Sequence, residues 1–327
     1  MANKIFITGG AGYVGSALVP ALLSKGYSVS VLDLMIYGDD VLDAHPNLTI
    51  IPGDIRDKKM LERTVDGHDT VIHLACISND PSFELNPALG KSINLDAFVP
   101  MVEICMNAGV NRFIYASSSS VYGVKAERDV HEDISLEPLT DYSKYKADCE
   151  RLLLKYQDNH FSTVIVRPAT VCGYARRQRL DVVVNILTNL AYHKREIKVF
   201  GGDQLRPNIH ISDMVNAYLL LLEAPKNLVS GQIYNVGYEN HSVMEIAQIV
   251  KNVIGSDVKL KVTPTDDNRS YHISSAKIKN ELGFENQFTI EDAVKDIKSA
   301  FESGLLTDTL CNENYFNIKR MQSLHLK

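Results

Sequence analysis

The chain has 327 residues, 45% of them hydrophobic and 23% charged, with a formal net charge of -6 at pH 7. That composition belongs to a soluble globular protein, long enough for two lobes, and the acidic balance offers no basic field to a nucleic acid. The five cysteines (Cys76, Cys105, Cys149, Cys172, Cys311) are scattered without a CxxC pair, which fits reduced thiols and argues against a zinc site. No apolar run reaches the ~18 residues of a membrane span, and Met-Ala-Asn-Lys leads straight into an apolar strand, so neither a membrane partner nor a signal peptide is expected, and the location is expected to be cytoplasmic.

In chain order, strands are predicted at residues 4–8, 28–32, 48–52, 70–74, 112–116 and 162–166, and helices at 14–25, 58–65, 88–108 and 142–159. Short strands apolar on both faces, alternating with helices, define an α/β fold with a doubly wound parallel sheet of the Rossmann type. After Gly173 the rhythm becomes irregular. A helix at 180–193, a strand at 198–200, a helix at 212–223, a strand at 232–236 and helices at 242–253 and 289–303 describe a smaller mixed α/β cap lobe. The expected division is a dinucleotide-binding domain over residues 1–175, rejoined by 212–237, and a cap over 176–211 and 238–310. The tail, 311–327, is polar and predicts no element.

Between the first strand and helix lies TGGAGYVG, residues 8–15. Glycine loses the most backbone entropy on folding, so four in eight residues need a reason. In a strand-turn-helix unit the first glycine permits the tight turn, the second lets the backbone approach a pyrophosphate, and the third lets helix pack on strand. Gly9, Gly12 and Gly15 take those places, with GxxGxxG spacing, and Tyr13 and Val14 open the helix whose N–H groups and dipole favour an anion. Asp33 ends the second strand eighteen residues after Gly15. A carboxylate there accepts from ribose hydroxyls and repels a 2′-phosphate. Residues 34–40 hold no Arg or Lys to offset it, so the expected cofactor is NAD rather than NADP.

DYSKYK, residues 141–146, opens a helix with Tyr142 and Lys146 at i and i+4 on one face. A phenol near pKa 10 is a poor base at neutral pH. An ammonium about 4 Å away would bring it toward 7, where a general base works best. Upstream, the fifth strand runs into Ser117–Ser120, hydroxyls at the carboxyl end of a parallel strand, where open α/β sheets bind ligands.

TGGAGYVG, Asp33, GDI at 53–55, HLAC at 73–76, the serines before VYG, YSKYK and RPATVCG occur in that order. Together they resemble the extended short-chain dehydrogenase/reductase family, specifically its NAD-dependent nucleotide-sugar epimerases and dehydratases, from residue 4 to about Phe284. The resemblance implies Tyr142 as base, Lys146 as its electrostatic partner and ribose clamp, and Ser118 as a second hydroxyl on the sugar oxygen. For the cofactor it implies Asp54 and Ile55 at the adenine, Leu74 and Ala75 at the strand end, Asn94 behind the tyrosine, and Pro168. For the nucleotide sugar it implies Ser78, Ser119, Ser120, Thr170, Arg179 and Asn185, with Arg206 and Arg269 on the diphosphate, and a homodimer as the assembly.

This chain departs from the family's dehydratases, which carry Thr-Asp-Glu where it has Ser118-Ser119-Ser120, and from many epimerases, which carry Asn at Thr170. The expected activity is therefore NAD-dependent oxidation at carbon 4 of a nucleotide sugar, foremost as a 4-epimerase. The alternatives are a 4-dehydrogenase or reductase releasing a keto product from a deoxy sugar or heptose, then a 4,6-dehydratase or a non-catalytic NAD-binding regulator.

Overall fold

The computed structural model describes residues 4–326 apart from Asn79, Ala126, Arg128, residues 266–269 and Tyr271. The first part runs β1 (Lys4–Thr8), α1 (Gly15–Ser24), β2 (Ser28–Asp33), β3 (Leu48–Pro52), α2 (Lys58–Val65), β4 (Thr70–His73), α3 (Asp80–Glu84), α4 (Pro87–Lys91), α5 (Phe98–Asn107), β5 (Arg112–Ala116), α6 (Asp141–Leu154) and β6 (Ser162–Pro168). Then follow β7 (Thr170–Cys172), α7 (Val183–Lys194), β8 (Glu196–Phe200), β9 (Leu205–His210), α8 (Ile211–Glu223), α9 (Lys226–Val229), β10 (Gln232–Val236), β11 (Glu239–Ser242), α10 (Val243–Ile254), β12 (Lys259–Thr263), α11 (Ala276–Leu282), α12 (Ile290–Glu302) and α13 (Asn317–Leu324).

Seven strands form one parallel sheet in the order β10-β6-β5-β4-β1-β2-β3. Its two faces follow from the period of two along each strand. Ile5, Ile7, Val31 and Val164 pack with Leu18 of α1 and Met214 and Leu221 of α8. Phe6, Leu32, Phe113 and Ile165 point the other way, onto Leu61 of α2, Met101 of α5 and Leu153 of α6. Both faces are dry, which is why these strands read as continuous apolar runs. Strand order reverses between β1 and β4, the place where such sheets open a crevice at their carboxyl ends. A separate core of Val184, Leu187, Ile197, Ile246, Val250 and Val294 holds α7, β8, α10 and α12 together.

The short elements α3, β7, β9, α9, β11, β12 and α11 have no counterpart in the sequence prediction, and two further stretches differ from it near the site. The single helix expected over 88–108 is α4, a π-helical turn at Ser92–Asp96, and α5. The wide turn buries Asn94, whose amide accepts from Ile77 N (2.8 Å) and donates to Ile77 O (3.0 Å), fixing the segment after β4. Such turns inside helices recur at functional sites. The tail, without predicted elements, forms a short helical turn at Glu313–Tyr315 and α13. No described helix is long and apolar enough to cross a membrane.

Candidate active site

The carboxyl ends of β1, β2, β4, β5 and β6 open into a cavity of about 360 Å³. Its floor starts at the glycine turn. Gly9 has φ +74°, and a Cβ on it would lie 2.6 Å from the Ala75 nitrogen, so chain geometry and the close approach of β4 both demand glycine. A Cβ on Gly15 would collide with the Gly10 backbone. Gly12 is different: a Cβ there meets only Gly9 O, at 3.1 Å. Protein packing crowds that position far less than the other two, leaving the turn open to a group seated on it from the cavity side.

Asp33 lies at one end. Its Oδ2 accepts from Ala11 N and its Oδ1 from Met35 N, both at 2.9 Å. Burial pushes its carboxyl above the ordinary value, opposed by those two N–H groups and by the charge of Arg177. Hence a cation does lie near Asp33, brought by the fold from a loop 144 positions away rather than from residues 34–40. The guanidinium of Arg177 lies 3.5 Å over the ring of Tyr37, and its backbone N–H donates to Ser16 Oγ at the start of α1.

Tyr142 and Lys146 lie at the other end, on α6. The helix starts there because Thr140 and Ser143 cap it reciprocally. Lys146 is buried and donates to Ala116 O at 2.6 Å, with its Nζ 5.9 Å from the Tyr142 ring centre. The expectation that Tyr142 is held near 7 is corrected. Burial pushes its hydroxyl well above the ordinary phenol value, Cys76 and Asp80 push the same way, and Arg179 and the nearby Ser118 hydroxyl only partly oppose them. Removal from water disfavours the phenolate more than these neighbours favour it. Ser118 Oγ shares a hydrogen bond with Ser120 Oγ at 2.9 Å. Ser117 turns away to Glu150, which pairs with buried Arg167 at 2.7 Å.

The structure brings most of the predicted residues onto this cavity: Gly9, Gly12, Tyr13, Val14, Gly15 and Asp33 on one side, Asp54, Ile55, Leu74, Ala75 and Ser78 beside them, then Ser118, Ser119, Ser120, Tyr142, Lys146, Pro168, Thr170 and Arg179. Three lie elsewhere. Asn94 acts from behind through Ile77. Asn185, expected at the substrate, is fully buried and ties Tyr13 OH (3.0 Å), Gly173 N (3.1 Å) and Arg179 O (2.8 Å) together. Arg206, expected at the diphosphate, is on β9 beside β11, outside the cavity wall. Arg269 lies outside the described residues.

Arg177, Tyr37, Asn317, Met321 and Leu326, none of them among the expected site residues above, also line the cavity. The basic run RRQRLD was a visible signal for the first, whereas nothing in the polar tail pointed to the last three. Arg177 Nε and Arg179 Nη2 are buried without a hydrogen-bond partner. A cavity with a glycine cradle, an acid at one end and two unsatisfied guanidinium nitrogens fits a dinucleotide with a central diphosphate. Among the described residues no group of His, Cys, Asp or Glu is placed to hold a metal ion.

The fold and this cavity define a Rossmann-type nucleotide-binding protein with a tyrosine-lysine pair. The model of the NAD dependent epimerase/dehydratase family matches residues 5–237, and the chain belongs to that family. It is 29% identical over 315 residues to a dTDP-glucose 4,6-dehydratase of Streptomyces niveus, covering 89% of this chain and 90% of the relative. The UDP-glucose 4-epimerase of Thermotoga maritima, solved with UDP-glucose, superposes with a TM-score of 0.84 at 25% identity, covering 93% of this chain and 100% of that one. MoeE5, solved with UDP-glucuronic acid and NAD, gives 0.81 at 28% identity, covering 92% and 100%. The protein is an NAD-dependent enzyme of nucleotide-sugar metabolism.

Proposed function

We propose that this enzyme is a nucleotide-sugar 4-epimerase. The observation that carries the reading is the rim of β5: beside Tyr142 stand the hydroxyls of Ser118, Ser119 and Ser120, with no carboxylate at those positions. Expelling water from carbon 6 needs an acid and a base in addition to the group acting at carbon 4. Asp80 also lines the cavity, but it accepts a hydrogen bond from Thr140 Oγ1 at 2.5 Å, at the cap of α6.

In this reading Ser118 holds the oxygen on carbon 4 and Tyr142 takes its proton. Bound NAD supplies a hydride acceptor with a positively charged ring. Lys146, fixed by Ala116 O beneath the tyrosine, adds a second positive charge at that end and orients the ribose. The raised pKa of Tyr142 keeps the phenol protonated in the ligand-free protein, so it becomes a base only in the assembled complex, after the two positive charges have favoured loss of its own proton to solvent. The same hydroxyl returns the proton when the turned keto sugar is reduced on its other face, and the apolar walls exclude water meanwhile.

The test is incubation of the NAD-loaded enzyme with UDP-glucose, UDP-glucuronic acid and dTDP-glucose, with products identified by NMR. Inversion at carbon 4 without net reduction of NAD is expected from one of them. A 4-keto-6-deoxy product would overturn the reading in favour of a dehydratase, and reduced cofactor accumulating in step with a keto sugar would make the enzyme a net dehydrogenase.

A further inference from the structure

The last fourteen described residues, from Glu313, lie across the cofactor cavity. Asn317, Met321 and Leu326 form part of its wall, and Asn317 joins three separate parts of the molecule. Its Nδ2 donates to Ser78 Oγ after β4 (2.8 Å), and its Oδ1 accepts from Tyr37 OH after β2 (2.9 Å) and from Arg177 Nη2 in the cap loop (2.5 Å). Its backbone N–H donates to Asp181 Oδ2 (2.8 Å). Three residues later on the same helix, Arg320 donates to Ile36 O, and before it Tyr315 O accepts from Leu180 N at 2.8 Å. Met321 is buried in the core that covers the Phe6 face of the sheet.

These attachments have a direction. Ile36 and Tyr37 follow Asp33, the adenosine end, whereas Ser78 belongs to the loop facing Tyr142, the reacting end. A dinucleotide reaching from one end to the other passes beneath α13. Arg177, held by Asn317 and by the face of Tyr37 at the adenosine end, is buried with its Nε unsatisfied, and its backbone N–H donates to Ser16 Oγ at the start of α1, next to the glycine turn. Fixing a guanidinium in place before binding removes the ordering cost that a free side chain would carry.

We propose that residues 313–326 are a latch that closes over bound NAD and must open before NAD leaves, with Asn317 its fastening residue and Arg177 the cation it holds against the cofactor's diphosphate. The latch depends on the NAD site alone and not on which sugar is turned over, so it survives whether the enzyme proves an epimerase or a dehydratase.

The experiment measures NAD release from the loaded full-length enzyme by exchange against radiolabelled NAD, for the wild type, Asn317→Ala, Arg320→Ala and a chain ending at Asn312. Losing three side-chain hydrogen bonds, one of them to the charged Arg177, should accelerate release by about tenfold or more in Asn317→Ala, and by more in the shortened chain. Unchanged release in both point variants overturns the latch. Slower release or tighter binding in the shortened chain also overturns it, since the tail would then occupy the cofactor's own place. Should the shortened chain fail to fold, hydrogen exchange of residues 313–326 in the wild type decides: NAD should slow it, and equal or faster exchange sinks the proposal. Arg177→Gln should weaken ADP-ribose about tenfold while leaving adenosine within about twofold. Equal losses for both would remove Arg177 from the diphosphate.

Discussion

The floor and the roof of the cavity are built by opposite means. The floor comes from strand ends and the turns that follow them, between Thr8 and Lys146, and much of it is backbone: the Gly9 turn against Ala75, the start of α1, the Ala116 carbonyl under Lys146. The roof is side chains from Arg177, Arg179 and a C-terminal helix 140 residues further on, joined by Asn317. A floor of this kind specifies what is bound and what reacts, because it places groups to within a bond length. A roof assembled from distant segments governs when the ligand enters and leaves.

Tyr142→Phe breaks that division most severely if it is wrong. Removing the one hydroxyl assigned to proton transfer should cut turnover by about 10²- to 10⁴-fold, while thermal stability and NAD release stay near wild type. Turnover that survives, measured with the true sugar nucleotide, would remove the chemistry from the floor. Gly9→Ala comes next. It forces a side chain into left-handed backbone and against the Ala75 nitrogen, so stability should fall by about 1 to 3 kcal/mol in urea and NAD should no longer be retained through gel filtration. The roof variants above change release instead, and a Gly9→Ala protein that binds NAD normally would erase the contrast.

The last test probes the floor by pH. His73, at the end of β4, is buried against Tyr115 and hydrogen-bonds Thr8 Oγ1 through Nδ1 at 2.6 Å. Burial, with some help from the Lys146 charge, lowers its pKa from 6.5 to about 3. The unfolded chain therefore takes up a proton that the folded chain refuses. Stability contributed by neutral His73 is complete above pH 6.5 and should fall by about 1.4 kcal/mol per unit as pH drops toward 3. Unfolding in urea at pH 6.5, 5.5 and 4.5 checks this: His73→Gln should show a shallower decline than wild type, and parallel declines would show that the imidazole titrates normally.

The same contrast explains what the sequence made legible. Gly9, Asp33, Tyr142 and Lys146 could be read because each sits at a fixed offset from a strand or helix terminus, where local geometry restricts the residue type. Asn185 could not be placed from spacing, since Tyr13 and Gly173 turn it inward, and Arg206 sits on β9, paired with β11, rather than in the lining of this cavity. The pKa of Tyr142 was misjudged for a related reason: an i, i+4 lysine is a local fact, but the desolvation that dominates comes from the whole enclosure. Asn317 left no trace at all, because a lone polar residue in a polar tail gains its meaning only from Tyr37, Ser78 and Arg177, none of them near it in the chain.

The thiols offer a practical handle on the tail. Burial pushes the Cys105 and Cys149 thiols up to about 12 and Cys172 higher still, so none of the three competes for an alkylating dye near neutral pH. Cys311 is exposed two positions before Glu313, and Cys76 faces the cavity. In a Cys76→Ser background, one maleimide fluorophore on Cys311 would therefore report from beside the C-terminal segment without any cysteine having to be introduced.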